Sequence, residues 1–245
     1  MQNTVFIPVN EHQRLSGYFH GALDKSTASG KKTLVMMLHS FPGGHKGGQN
    51  DIFGDLEYQL SLDDQPSLHF DFRGCGESEG AIRDFTLASA AADINAARTW
   101  AAKRGYERFI YVGEGLGALI ALLNLGDNAA AAVLLWPVLD ARTPVLRRLA
   151  VEGAAKTGIN PAFLSEIETL DPAQWISKIR APLLIQHGEN DKDAPYAQIN
   201  LFRRYGQRSR RIEITCYEGG EHGLTRLNER QTLFYHVRQF VQKYA

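Results

Sequence analysis

The stretch Phe109-Ile110-Tyr111-Val112-Gly113-Glu114-Gly115-Leu116-Gly117-Ala118-Leu119-Ile120 decides the fold. Its first four residues are an apolar run without polar alternation, which suits a strand buried on both faces of a parallel sheet. The chain then passes through alternating glycines into residues 116–125, apolar nearly all round, the pattern of a helix packed centrally on that sheet. The same strand-to-helix succession recurs outward in both directions. Strands are expected at 33–39, 67–72, 109–112, 131–136, 183–187 and 212–217, after an opening hairpin of 4–9 and 15–22. Helices are expected at 87–104, 116–125 and 228–244. This alternation predicts an α/β fold with a mostly parallel, doubly wound sheet of about eight strands. The segment 140–180 breaks it with two helical pieces, 144–157 and 161–169, and no strand. It is expected to be a small helical cap insertion within a single domain, 1–245.

Composition narrows the function. Apolar residues make up 44% of the chain and charged residues 22%, a globular balance. With 27 basic and 27 acidic side chains the formal charge is zero, so neither nucleic acid nor an anionic membrane is an expected partner. No apolar run approaches the ~20 residues that span a bilayer. The N-terminus lacks the basic and apolar regions of a signal peptide, and Cys75 and Cys216 have no metal or redox spacing. A cytoplasmic protein with reduced thiols is expected.

Ligands of doubly wound sheets bind outside the carboxyl ends of the strands, so the loops there carry the functional signal. The third expected strand runs into Leu38-His39-Ser40-Phe41-Pro42-Gly43-Gly44 and the fourth into Asp71-Phe72-Arg73-Gly74-Cys75-Gly76-Glu77-Ser78. Later come His187-Gly188-Glu189-Asn190-Asp191 and Gly219-Gly220-Glu221-His222-Gly223. The glycines at 113, 115 and 117 form GxGxG rather than GxGxxG and lie mid-chain, so no nucleotide cofactor is implied. No ligand cluster implies a metal.

These loops, in this order, resemble the α/β-hydrolase family, and within it small bacterial carboxylesterases of the feruloyl and cinnamoyl esterase type. The resemblance rests on the HxFPG-like loop at 39–43, the DFRGxGxS segment at 71–78 and the GxSxG-like elbow at 113–117, and it runs over residues 4–244. It implies the α/β-hydrolase fold and a small-molecule ester or acyl ligand. In that family an elbow serine attacks the acyl carbon, a late histidine takes its proton and an acid orients the histidine. Carried over, the nucleophile position is Gly115, the acid Asp191 and the base His222. The backbone N–H groups of Phe41 and Leu116 would form the oxyanion hole.

Two positions depart from that pattern. Ser40 stands where a glycine usually precedes the first oxyanion donor. Gly115 has the elbow's spacing but no hydroxyl, so no acyl-enzyme can form on it. The elbow backbone costs a side-chain-bearing residue of order 1–3 kcal/mol, whereas glycine adopts it freely. Gly115 therefore preserves the fold while removing the attacking atom. Ser40, Glu114 and Trp136 are candidates for the substrate pocket; Phe163 and Trp175 either join them or pack in the core. Ser40, near the elbow but at the end of another strand, and Glu114, whose side chain is expected to point away from the cleft, are also the alternatives for the missing nucleophile, neither with an evident general base at hydrogen-bonding spacing. Glu189 and Asp193 lie two positions from Asp191 and compete with it for the acid's role. His39 and Arg73 are expected to tie loops together, and Cys75 and Ser78 to form a turn.

Three readings follow. The chain is a serine hydrolase whose serine was exchanged for glycine by design, or a natural pseudoenzyme that binds a small ligand or a protein. In the third, the glycine is natural and His222 with Asp191 works as a general base, activating water or abstracting a proton.

Overall fold

The opening hairpin pairs β1 (Gln2–Pro8) with β2 (Arg14–His20) in the computed structural model, which describes residues 2–21, 32–40 and 44–245. There follow β3 (Lys32–Leu38), β4 (Ser67–Phe70), β5 (Tyr106–Glu114), β6 (Ala129–Leu135), β7 (Leu183–Gly188) and β8 (Ile212–Tyr217). Together they make an eight-stranded sheet in the order β1-β2-β4-β3-β5-β6-β7-β8. Pairings of β2 with β1 and β4 are antiparallel; all those from β4 through β8 are parallel. The strand order reverses at β3, which has β4 on one side and β5 on the other. The carboxyl ends of β3 and β5 thus flank the topological switch point, where such sheets open a crevice.

The apolar strands have a simple physical reading. On β3, Leu34, Met36 and Leu38 join one core cluster while Val35 and Met37 join the other. Side chains alternate across a strand, so a strand covered on both faces must be apolar at every position. Helices α2 (Leu87–Ala102) and α3 (Leu116–Leu123) cover the first face. Helices α1 (Ile52–Ser61) and α8 (Leu227–Tyr244) cover the second. Between β6 and β7 lie α4 (Pro144–Thr157), kinked at Gly153, then α5 (Pro161–Glu168) and α6 (Pro172–Ile176). Their Leu146, Phe163, Ile167 and Ile176 enter the same cluster as α2 and α3. Phe163 is therefore a core residue, edge-to-face against Phe85 at 5.3 Å, and not part of a pocket wall. A short α7 (Asn200–Tyr205) precedes β8.

The expected strands coincide with the observed ones except at their ends; β5 starts at Tyr106 and runs on to Glu114. Helices α1, α6 and α7 are additions to the sequence reading. Helix α1 starts without a side-chain cap, from Asn50 and Asp51 at φ 54° and 55°, so the usual start signal is absent.

Candidate active site

The elbow is built by close backbone approach. Gly115 links β5 directly to α3 with φ 51° and ψ −118°, in the left-handed region that side chains disfavour. Its N–H donates to the Leu135 carbonyl at 3.0 Å, and its own carbonyl accepts from Val138 N–H at 2.9 Å. At Gly117 a Cβ would fall 2.1 Å from the Leu38 carbonyl oxygen and 2.6 Å from that of His39. Only glycine lets the first turn of α3 lie this close to the end of β3.

The neighbour of Gly115 across the switch point is Ser40. A Cβ at position 115 would lie 2.5 Å from Ser40 Oγ and 3.1 Å from Ser40 Cβ. The Leu116 N–H, the first of α3, donates to Ser40 Oγ at 3.4 Å. Ser40 is half-buried, and both of its backbone polar groups are committed. Its N–H donates to Glu114 Oε1 at 3.0 Å, and its carbonyl accepts from His39 Nδ1 at 2.8 Å. His39 Nε2 in turn accepts from Phe72 N–H at 3.1 Å. These bonds fix a neutral imidazole with its proton on Nδ1. Burial pushes the His39 pKa down to about 4.

Glu114 does not face the crevice as a pocket residue. It is buried, and its carboxylate also accepts from Gln49 N–H at 3.0 Å. Burial raises its pKa, against the opposing pull of the Ser40 and Gln49 amides. Glu114 is a brace between two loops. Phe41, the other expected oxyanion donor, lies outside the described residues.

On the far side of the crevice, the turn after β7 presents Asp191. Its Oδ1 accepts from Asp193 N–H at 2.9 Å and Ala194 N–H at 2.8 Å, which fixes the carboxylate by its own turn. Its Oδ2 lies 2.8 Å from His222 Nδ1, on the loop after β8, and 3.3 Å from His187 Nε2. Burial works to raise the Asp191 pKa, yet the bonds from His187 and His222 hold it well below the usual carboxylate range. An ionised Asp191 makes His222 Nδ1 the donor and leaves Nε2 with a free lone pair, the arrangement a general base needs. The competing carboxylates are engaged elsewhere: Asp193 pairs with Arg148 at 3.0 Å, and Glu189 accepts from Gly219 N–H at 3.1 Å.

Trp136 follows β6 at φ 35° and is fully buried, its ring edge-on to His222 with centroids 6.2 Å apart. It packs behind the imidazole. Trp175 is half-buried against the core.

The sequence reading missed two neighbours. Gln49 joins the Glu114 brace. His187, within the quoted His187-Gly188-Glu189-Asn190-Asp191 run, donates from Nε2 to the Ala194 carbonyl at 2.7 Å and faces the Asp191 carboxylate. Its spacing of four from Asp191 was the available signal. His39 and Arg73 do tie loops: Arg73 Nε meets Asp93 Oδ1 at 2.5 Å. Ser78 belongs to the turn, its hydroxyl donating to the Asp71 carbonyl at 2.6 Å.

A separate cleft of about 340 Å³ is lined by Asp140, Arg142, Thr143, Pro195, Gln198 and Arg204, among others, and by none of Gly115, Asp191 or His222. Among the described residues, no group of three or more His, Cys, Asp or Glu side chains is placed to hold a metal ion. No helix among them is long and apolar enough to cross a membrane.

Known proteins can now be set beside this geometry. The model of the α/β-hydrolase fold family matches residues 33–142. No curated protein matches the chain. Est1E from Butyrivibrio proteoclasticus, solved with ferulic acid bound, is similar at TM-score 0.76 and 18% identity, with 98% of each chain covered. An esterase from Pyrococcus furiosus is similar at TM-score 0.76 and 18% identity, over 100% of this chain and 93% of that one. The mouse alpha/beta hydrolase domain-containing protein 10 is similar at TM-score 0.75 and 16% identity, over 99% and 100%. With its eight-stranded sheet, its glycine elbow at the switch point and these neighbours similar over nearly their whole length, the chain has the α/β-hydrolase fold.

Proposed function

We propose that the chain is a carboxylesterase-type acyl hydrolase in which His222, oriented by Asp191, is the general base and residue 115 is not the nucleophile. The observation that carries this is the 2.8 Å bond between His222 Nδ1 and a buried, ionised Asp191. It leaves Nε2 able to take a proton from an attacking hydroxyl and pass it to the leaving alkoxide. Glycine at 115 has no atom that can attack. The esterases among the solved neighbours, and the ferulic acid held by one of them, favour small esters, aromatic acyl groups included, as the substrate class.

The test is hydrolysis of p-nitrophenyl acetate and methyl ferulate by the unaltered chain, His222→Ala and Asp191→Asn. The alanine variant is expected to lose about 10²–10⁴-fold in kcat/KM, the usual worth of a positioned base. The asparagine variant should fall comparably, because it favours the wrong tautomer of the imidazole. Equal rates for all three proteins would replace this reading with that of a non-catalytic, ligand-binding relative.

A further inference from the structure

We infer that the nucleophilic hydroxyl of this site belongs to Ser40, reaching across from the end of β3 into the space left open at Gly115. The inference rests on the general-base reading of His222 and adds the group that it deprotonates.

Four observations support it. Ser40 Oγ lies within 2.5 Å of the point where the side chain of residue 115 would begin, so it occupies the immediate surroundings of the elbow. It is there because Leu38 and Gly113 are direct partners in the parallel pairing of β3 and β5, which brings the two strand ends level. Ser40 Oγ also sits at the amino end of α3, accepting from the Leu116 N–H at 3.4 Å. Aligned peptide dipoles there favour negative charge, whether an alkoxide or the oxyanion of a tetrahedral intermediate.

The backbone of Ser40 is also held on both sides, its N–H by Glu114 and its carbonyl by His39. The hydroxyl is thereby positioned before any substrate arrives, which is the usual source of efficient attack. Finally, the histidine loop passes close to the same brace. A Cβ on Gly223 would meet the Gln49 side chain at 2.7 Å, and the Gln49 and Ser40 amides share the Glu114 carboxylate. The loops carrying His222 and Ser40 therefore converge on the Gln49–Glu114 pair. Ser40 Oγ accepts from Leu116, which leaves its own O–H proton to be donated.

Acyl transfer and release need only the ester and water. Ser40 Oγ bonds to the acyl carbon while its proton passes to His222 Nε2, and the leaving alkoxide takes that proton as its bond to the acyl carbon breaks. Water then attacks the Ser40 ester, giving its proton to His222, which returns it to Ser40 Oγ as the acid departs.

A fluorophosphonate probe, which phosphonylates activated serines, tests this by peptide mass mapping of the unaltered chain, Ser40→Ala and His222→Ala, each checked for an unchanged melting temperature. The expected result is an adduct on the peptide containing Ser40, absent from both variants, with ester turnover at least 10²-fold lower in Ser40→Ala. An adduct on another residue, or none, overturns the inference. If Ser40→Ala keeps full turnover while His222→Ala loses it, the attacking group is water: the general-base reading stands and the role of Ser40 falls. Turnover indifferent to both substitutions removes both.

Discussion

On the β7–β8 side of the crevice the site consists of side chains: a carboxylate, two imidazoles and an indole at fixed distances from one another. On the β3–β5 side it consists mostly of backbone, with two strand ends and the first turn of α3 packed so closely that glycine occupies three of five positions from 113 to 117. The difference teaches where exchange is possible. An acid–base pair works only through its own side chains, so in the proposed reaction Asp191 and His222 have no substitutes. A hydroxyl beside a backbone-built elbow can come from either of the strand ends that meet there, and here the one present comes from β3.

The sharpest way to break this contrast is Gly117→Ala. The added methyl would sit 2.1 Å from a backbone oxygen of β3, which no rotamer change relieves. The expected loss is about 3 kcal/mol or more of unfolding free energy, read by urea denaturation. An unchanged midpoint would mean that the β3–α3 approach is loose and that Ser40 is not held at the elbow.

A second test addresses the bonds that hold Ser40. His39 titrates in the folded chain at about 4, below its ordinary 6.5. As the pH falls, the unfolded chain therefore takes up this proton first. The stability contributed by the neutral imidazole is complete above about pH 6.5 and is lost as the pH falls towards 4, by as much as roughly 3 kcal/mol. Denaturation midpoints at pH 7.5, 5.5 and 4.5 should decline accordingly. His39→Gln, which can still donate to the Ser40 carbonyl and accept from Phe72, should flatten the decline across that window. Parallel curves for the two proteins would assign the acid sensitivity to other groups.

The smallest effect concerns the elbow pair itself. Gly115→Ser alone places a Cβ 2.5 Å from Ser40 Oγ on a strained backbone, and is expected to cost about 1–3 kcal/mol. Adding Ser40→Gly removes the clash, so the double variant should recover a large part of that loss. Additive losses in the denaturation cycle would show that the two positions do not share the space.

The architecture was legible because the central strands, buried on both faces, leave unbroken apolar traces in their proper order. Helix α1 was not, although Ile52, Phe53, Leu56 and Leu60 are its buried face. It begins without a cap, and its inward-facing Glu57 reads as a surface residue until its 2.7 Å contact with His69 is seen. Within the site, the loops named Asp191 and His222, but the choice among three nearby carboxylates depends on how a single turn points them. The motif order placed Ser40 near the elbow, but how close it comes to Gly115 depends on the register between two strands distant in sequence. The buried Lys46, held 3.1 Å from Asp71 beneath the same loops, was hidden for the same reason.

Trp136 gives this site a built-in optical reporter. Its indole lies edge-on to His222, and a protonated imidazole quenches a neighbouring indole's emission more strongly than a neutral one. The chain's other two tryptophans, Trp100 and Trp175, belong to the opposite core cluster, away from the imidazole. The emission of Trp136 should therefore track the protonation state of His222, so that charge at this imidazole can be followed in solution without any substrate.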